Sequence, residues 1–300
     1  MSERKDNRNE QTQADGAELR TRCFQIFEDL ARELSGEVVF PTSFDIVLQI
    51  RKVFATPEVT LHEVAQVVRM EPLIATKLLR IANSSAYNPG GKTITDIESA
   101  LQRIGMNVAR SVAMAVAMDQ LRHSRALFGL DDISTRLWTH TLKTAVAARV
   151  LAKRLTRLNR EDALLAGLVH DLGAFFMLYR LAQYPEFHDQ PALAVDLIGQ
   201  WHEGIGEALL SALGMPEHVI DAVRDHDQPR PPIAMPATLA EVVYIANLIA
   251  GGADGWRLAP EAAEAAAEAT ADAYRTPTYL DLADEIGADY DALASALAGN

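Results

Sequence analysis

The chain has 300 residues, 49% of them hydrophobic and 6% aromatic, enough to bury a large core in one or two domains. Its 41 acidic against 28 basic side chains leave a formal charge of -13, which excludes a general nucleic-acid binder. One cysteine, Cys23, allows no internal disulfide, and the opening Met1-Ser2-Glu3-Arg4-Lys5-Asp6 offers no apolar signal segment, so a cytoplasmic protein is expected.

Residues 1–15 are polar and aperiodic and read as a disordered leader. From Ala17 to Leu34, Leu19, Cys23, Phe24, Phe27, Leu30 and Leu34 recur at helical spacing, and Gly36 ends the run. Phe40-Pro41-Thr42-Ser43 punctuates the chain before a helix over Asp45–Phe54. Thr60 caps a helix over Leu61–Arg69, and Pro72, a first-turn proline, opens one over Leu73–Asn83. The stretch Asn83-Ser84-Ser85-Ala86-Tyr87-Asn88-Pro89-Gly90-Gly91 is loop chemistry. Two helices, Ile97–Ile104 and Val108–Leu121, follow, divided at Gly105. Val112–Met118, the longest apolar stretch, is too short to span a bilayer, so no membrane contact is expected.

Beyond a loop at His123–Asp132 the spacing predicts longer helices over Ser134–Leu155, Glu161–Leu181, Ala192–Gln200, His202–Leu213, Glu217–Asp227 and Thr238–Ala250. The linker Gln228-Pro229-Arg230-Pro231-Pro232 separates the last two. After Gly251-Gly252 comes an alanine-rich acidic tail, with Glu261, Glu264, Glu268, Asp272, Asp281, Asp284, Glu285, Asp289 and Asp291 against few bases, Arg275 among them. It reads as surface helices with a solvated acidic face; a docking site for a basic partner is the alternative. No segment alternates with hairpin signals, so the fold class is all-α.

The chemistry concentrates where ligand-type side chains sit on faces their helices should bury. His140 shares a face with Leu137, Thr144, Ala147 and Leu151. His202 lies with Ile205, Leu209 and Leu213, His226 with Val219 and Val223, and Asn247 with Val243 and Ala250. His170-Asp171 follows a stretch that is apolar nearly all round. Buried polar groups need partners, so their recurrence on successive helices predicts one convergent cluster. An imidazole and a carboxylate from adjacent helical positions can hold one ion, or the carboxylate can bridge two. A hydrogen-bonded core without any ion is the alternative. His62, His123, His188 and His218 neighbour charged or loop residues and are expected to be solvated, whereas Trp138, Trp201 and Trp256 read as core or boundary anchors. Cys23 has no His-Asp context for nucleophilic catalysis, and no glycine loop suited to phosphate is present.

The order His140, His170-Asp171, Asn247 resembles the H…HD…D pattern of the HD superfamily of metal-dependent phosphohydrolases. Phe40-Pro41-Thr42-Ser43-Phe44-Asp45, the stretch from Glu71-Pro72-Leu73 through Asn83-Ser84-Ser85-Ala86-Tyr87, Ile97–Val112 with Ile104-Gly105, and Leu213-Gly214-Met215-Pro216-Glu217 resemble its HDOD branch. That resemblance covers about residues 36–232. It implies an N-terminal helical subdomain (16–125) packed on an HD-like helical core (126–252), with the acidic helical tail (253–300) left unexplained. It also implies bacterial signalling through a protein or ligand partner, without hydrolysis.

Two departures from the hydrolase pattern agree with that reading. Asn247 stands where HD hydrolases have a final aspartate, and a neutral amide balances less cationic charge. Ala174 stands where the HD-GYP branch has a lysine, removing a cation that would stabilise charge on a phosphate. The branch's histidine pair is here His226-Asp227. The expectation is therefore a non-catalytic regulatory module with a signalling protein partner and no cofactor. The alternative is a phosphohydrolase of nucleotides or cyclic dinucleotides, with iron, manganese, magnesium or zinc held by His140, His170, Asp171, His202 and His226. A homodimer is compatible with either.

Overall fold

Side chains that can satisfy the orphan amides of a first turn decide where several helices begin. The computed structural model describes residues 26, 28–29, 32, 44–54, 59–259, 262 and 276–298, in which every regular element is helical. Contacts divide the chain into Met1–Val39 and Phe40–Asn300. In the first unit Ile26 is buried, and Arg32 meets Asp29 at 3.2 Å on the surface. The expected leader, Cys23 and most of the Ala17–Leu34 helix lie outside the described residues, as does the Phe40–Ser43 punctuation.

In the second unit, α1 (Asp45–Phe54) and α2 (Leu61–Arg69) have the expected bounds. Thr60 accepts from the Glu63 amide at 3.2 Å while the Glu63 carboxylate accepts from the Thr60 amide at 2.8 Å, a complete capping box. Pro72 is itself the first residue of α3 (Pro72–Ala82). α4 (Ile97–Arg122) is two helical segments meeting at Gly105, whose φ of 80° and ψ of 168° suit glycine alone. A 3-10 turn, Arg125–Leu127, interrupts the loop expected at His123–Asp132, and α5 (Asp131–Leu155) starts a turn earlier than the apolar pattern suggests.

Four expectations are corrected. The helix predicted over Glu161–Leu181 is two, α6 (Arg160–Val169) and α7 (Leu172–Leu181), broken at His170-Asp171. Conversely, after the short α8 (Pro185–Asp189), the predicted Ala192–Gln200 and His202–Leu213 helices are one, α9 (Pro191–Ala212). Trp201 lies mid-helix and is 51% exposed, so it anchors no core, whereas Trp138 and Trp256 are buried. The helix predicted to Asp227 ends early, as α10 (Glu217–Val223), and a turn with Asp225 at φ 55° carries His226 and Asp227.

A second capping box, Thr238 with Glu241, opens α11 (Leu239–Ile249); α12 (Asp254–Arg257), α13 (Pro277–Leu280) and α14 (Ala283–Ala298) follow among the described residues. The core centres on α5, which packs against α6, α11, α12 and α14. Val146, Val150 and Leu151 of α5 bury against Val242, Ile245 and Ala246 of α11, each valine, leucine or isoleucine contributing about 1.5–3 kcal/mol. Arg160–Leu181 is the one described stretch long and apolar enough to cross a membrane; 89% of its most apolar 18 residues are buried. Two glycines permit the closest crossings. A Cβ at Gly167 would lie 2.7 Å from the Ala145 Cα of α5, and one at Gly173 would lie 2.0 Å from the His202 carbonyl oxygen of α9. Both crossings aim polar side chains at one point.

Candidate metal centre

Six polar side chains from five parts of the fold meet in this core. His140 comes from α5, His170 and Asp171 from the break between α6 and α7, His202 from α9, His226 from the turn after α10, and Asn247 from α11. All six are at most 2% exposed. The expected convergence is therefore present, and Asp171 is its hub. Asp171 Oδ2 lies 3.3 Å from His170 Nε2 and 3.6 Å from His140 Nε2, while Oδ1 lies 3.4 Å from His202 Nε2 and 3.3 Å from His226 Nε2.

The outer face of each imidazole fixes its tautomer. His140 Nδ1 donates to the Ala250 carbonyl at 3.3 Å, His170 Nδ1 to Gly167 at 2.8 Å, His202 Nδ1 to Ile198 at 3.0 Å and His226 Nδ1 to Val223 at 2.8 Å. Carbonyls only accept, so each Nδ1 carries a proton and each ring, when neutral, turns its Nε2 lone pair inward. His140 and His170 face one another Nε2 to Nε2 at 3.1 Å, and His202 and His226 at 3.3 Å. Both Asp171 oxygens and Asn247 Oδ1 are buried without a donor. Four imidazole Nε2 atoms and a carboxylate thus converge, an arrangement that positive charge stabilises. The Nδ1–carbonyl bonds are also the outer support that metal-ligating histidines use.

The acid–base properties follow. Burial opposes ionisation of Asp171, but the surrounding imidazoles, His170 first, outweigh it and hold its carboxyl well below the usual range. Burial, then repulsion from His170, push His140 down to about 4. Burial also opposes a charge on His226, yet its 3.3 Å contact with Asp171 and the charges of Asp227 and Asp171 push it up to about 9.

Around this hub lie residues the sequence did not single out. Arg257 of α12 donates to Asp227 Oδ2 at 2.5 Å, and Glu203 accepts from the Asp227 amide at 2.9 Å. Asn247 Nδ2 donates to Asp227 Oδ1 at 2.9 Å and to the His226 carbonyl at 3.3 Å. Asn247 therefore braces Asp227, and its amide nitrogen faces a carboxylate rather than the hub. Ala174 is fully buried in α7, and a cation beside the centre is instead Arg257, which nothing in its local sequence signals. Gly255 lets α12 approach, since a Cβ there would lie 3.0 Å from His140 Nδ1. The histidines expected to be solvated are peripheral: His62, His123 and His218 are more than half exposed, and His188 is half-buried.

Two donor sets have the composition to hold a metal ion, His140/His170/Asp171 and Asp171/His202/His226, with Asp171 common to both. An all-helical fold that gathers an H…HD…H…H series onto one buried carboxylate defines an HD-type protein. Residues 40–229 match the HDOD domain, and the chain belongs to the HDOD domain family. Its fold is similar to that of a protein from Shewanella amazonensis SB2B provisionally named a metal-dependent phosphohydrolase, with 21% identity, a TM-score of 0.63 and coverage of 91% of this chain and 98% of that one. It is also similar to an HDOD domain protein of unknown function from Geobacter sulfurreducens, with 22% identity, a TM-score of 0.55 and coverage of 89% and 96%. In sequence it is 25% identical over 249 residues to an uncharacterized protein from Treponema pallidum (strain Nichols), covering 79% of this chain. The chain spans about half, 47%, of that relative.

Proposed function

We propose that this protein is a regulatory HDOD module of bacterial signalling that acts by binding a protein partner, and that its His/Asp centre holds a divalent metal ion as part of the scaffold. The burial of the centre carries this reading: His140, His170, Asp171, His202 and His226 are each at most 2% exposed. A catalytic ion needs a coordination position that substrate can reach, whereas a structural ion is enclosed by its ligands. Four imidazoles and one carboxylate suit zinc or ferrous iron better than magnesium, which prefers an all-oxygen shell. A bound ion would supply the positive charge that the inward lone pairs call for, and His140, His170, Asp171, His202 and His226 would hold it.

The two departures from the hydrolase pattern point the same way. The Asn247 amide is occupied with Asp227. Arg257, the nearby cation, is tied to the same carboxylate and so is committed to it rather than free to meet a phosphate. One observation favours phosphohydrolysis instead: Asp171 offers one oxygen to each of two histidine pairs, as a bridging carboxylate does in two-metal sites.

Elemental analysis of protein purified without chelator, joined to turnover assays on phosphodiesters and nucleotides, tests the choice. The expected result is stoichiometric zinc or iron, lost in His170→Ala, and no turnover with added manganese, iron or magnesium. Turnover at ordinary enzymatic rates, abolished by His170→Ala, would establish the hydrolase and overturn the regulatory reading.

A further inference from the structure

The acidic C-terminal helix does not have the uniformly solvated face its composition suggests. α14 lies across a groove with α3 on one side and α5 on the other, floored by apolar residues of α4 and α6 such as Val108, Val112, Leu164 and Leu168. Cations on the two walls grip it along its length. From α5, Lys153 and Arg154 meet Glu285 at 2.7 and 2.6 Å, and Arg149 meets Asp289 at 3.1 Å. From α3, Arg80 donates to the Ser295 carbonyl at 2.6 Å and Lys77 to the Leu297 carbonyl. These two neutralise the negative end of a helix that has no basic residue in its own last turn.

The seat is built more carefully than its occupant. Lys77 is only 3% exposed, and Arg149 is held from behind by stacking on Tyr87 at 4.9 Å, with Glu161 at 3.7 Å. Tyr87 in turn donates to Glu161 at 2.8 Å. The helix laid into this groove carries a glycine, Gly287, and lines the apolar floor with Ala292, Leu293, Ala296 and Leu297, and a cavity of about 50 Å³ remains there. Glycine weakens a helix, and an empty space against an apolar floor forfeits packing. The charges match along the helix and Leu293 and Leu297 pack inward, but Ala292 and Ala296 leave part of the floor without contacts.

The geometry points to this groove as the protein's partner-docking surface, made for an acidic amphipathic helix with larger apolar residues where α14 has Ala292 and Ala296; α14 is an internal occupant that the partner displaces. This deepens the regulatory reading above and rests on it. The basic walls select the acidic helix, and the unfilled floor gives a bulkier competitor its advantage. The groove stands apart from the His/Asp centre, so turnover assays judge the regulatory reading and binding assays judge this one.

The experiment uses the full chain and a labelled synthetic peptide of residues 277–300 carrying Ala292→Leu and Ala296→Leu. Glu285→Gln with Asp289→Asn loosens the internal helix without repulsion, and Glu285→Arg with Asp289→Arg expels it; circular dichroism identifies the folded variants. The expected result is that the loosened protein binds the peptide at least tenfold more tightly than wild type. Adding Arg149→Glu and Lys153→Glu to the loosened protein should cost at least tenfold, and the unsubstituted alanine peptide should bind more weakly than the leucine peptide. Equal affinity for wild type and the loosened variant, or no binding by either, overturns the proposal. A loosened variant that instead forms a stable dimer by light scattering overturns it in favour of a second copy of this chain as occupant.

Discussion

Gly173 follows the His170-Asp171 pair, and the structure assigns it a definite task that substitution can test. A Cβ at this position would lie 2.0 Å from the His202 carbonyl oxygen and 2.6 Å from the Gly206 amide nitrogen, both backbone atoms with no rotamer to yield. Ordinary contact begins near 3.4 Å, so α7 and α9 would have to part by about 1.4 Å. Forced overpacking of a well-packed core typically costs about 1–3 kcal/mol, and a clash with two backbone atoms of one helix belongs at the upper end. Gly173→Ala should therefore cost about 3 kcal/mol, roughly a hundredfold in the folding equilibrium. It should also move His202, whose Nε2 is 3.4 Å from Asp171 Oδ1, and so lower zinc retention. Gly204, on the same helix, is the control: no atom lies within 4 Å of a Cβ built there, and its site is exposed. Gly204→Ala should stabilise the protein by about 0.5–1 kcal/mol through helix propensity. Urea unfolding of both variants in chelator, followed by elemental analysis after zinc loading, reads the two effects. A Gly173→Ala midpoint equal to wild type would show that α7 and α9 do not cross at these glycines, and the reasoning would fail.

Gly105→Ala should lose about 1–3 kcal/mol in the same unfolding assay, because φ 80° with ψ 168° is accessible to glycine alone; an unchanged midpoint would mean α4 runs straight. In chelator, His170→Ala should cost about 1–3 kcal/mol by orphaning buried partners such as the Gly167 carbonyl, and an unaltered midpoint would deny the cluster a structural role. Asn247→Asp sets a second buried carboxylate where an amide now donates to Asp227 at 2.9 Å. It should cost about 3 kcal/mol in chelator and regain most of that when zinc or manganese is added. Thermal scans with and without metal test it, and a loss that metal leaves untouched would place Asn247 outside the reach of the ion.

What the sequence by itself determined is local or periodic. The bounds of α1 and α2 follow from breakers and a capping box, the division of α4 follows from Gly105, and the all-helical class follows from the spacing of apolar residues. His140, His170, Asp171, His202 and His226 could be grouped because a polar side chain on a buried face must find partners, and one shared cluster satisfies them all. The break at His170-Asp171 was not legible, because a stretch that is apolar all round looks the same whether its axis continues or turns. Trp201-His202 suggested a boundary that the continuous α9 does not have, since only the backbone of α9 against Gly173 shows which side of the helix is inside. Arg257 and Glu203 reach the centre through contacts across the fold, and no periodicity within their own segments encodes such contacts. The same holds for Asn247, whose amide faces Asp227 because α11 lies beside the turn after α10. It holds too for Glu285 and Asp289: acidity along one helix says nothing of the cations opposite, which only the packing of α14 against α5 supplied.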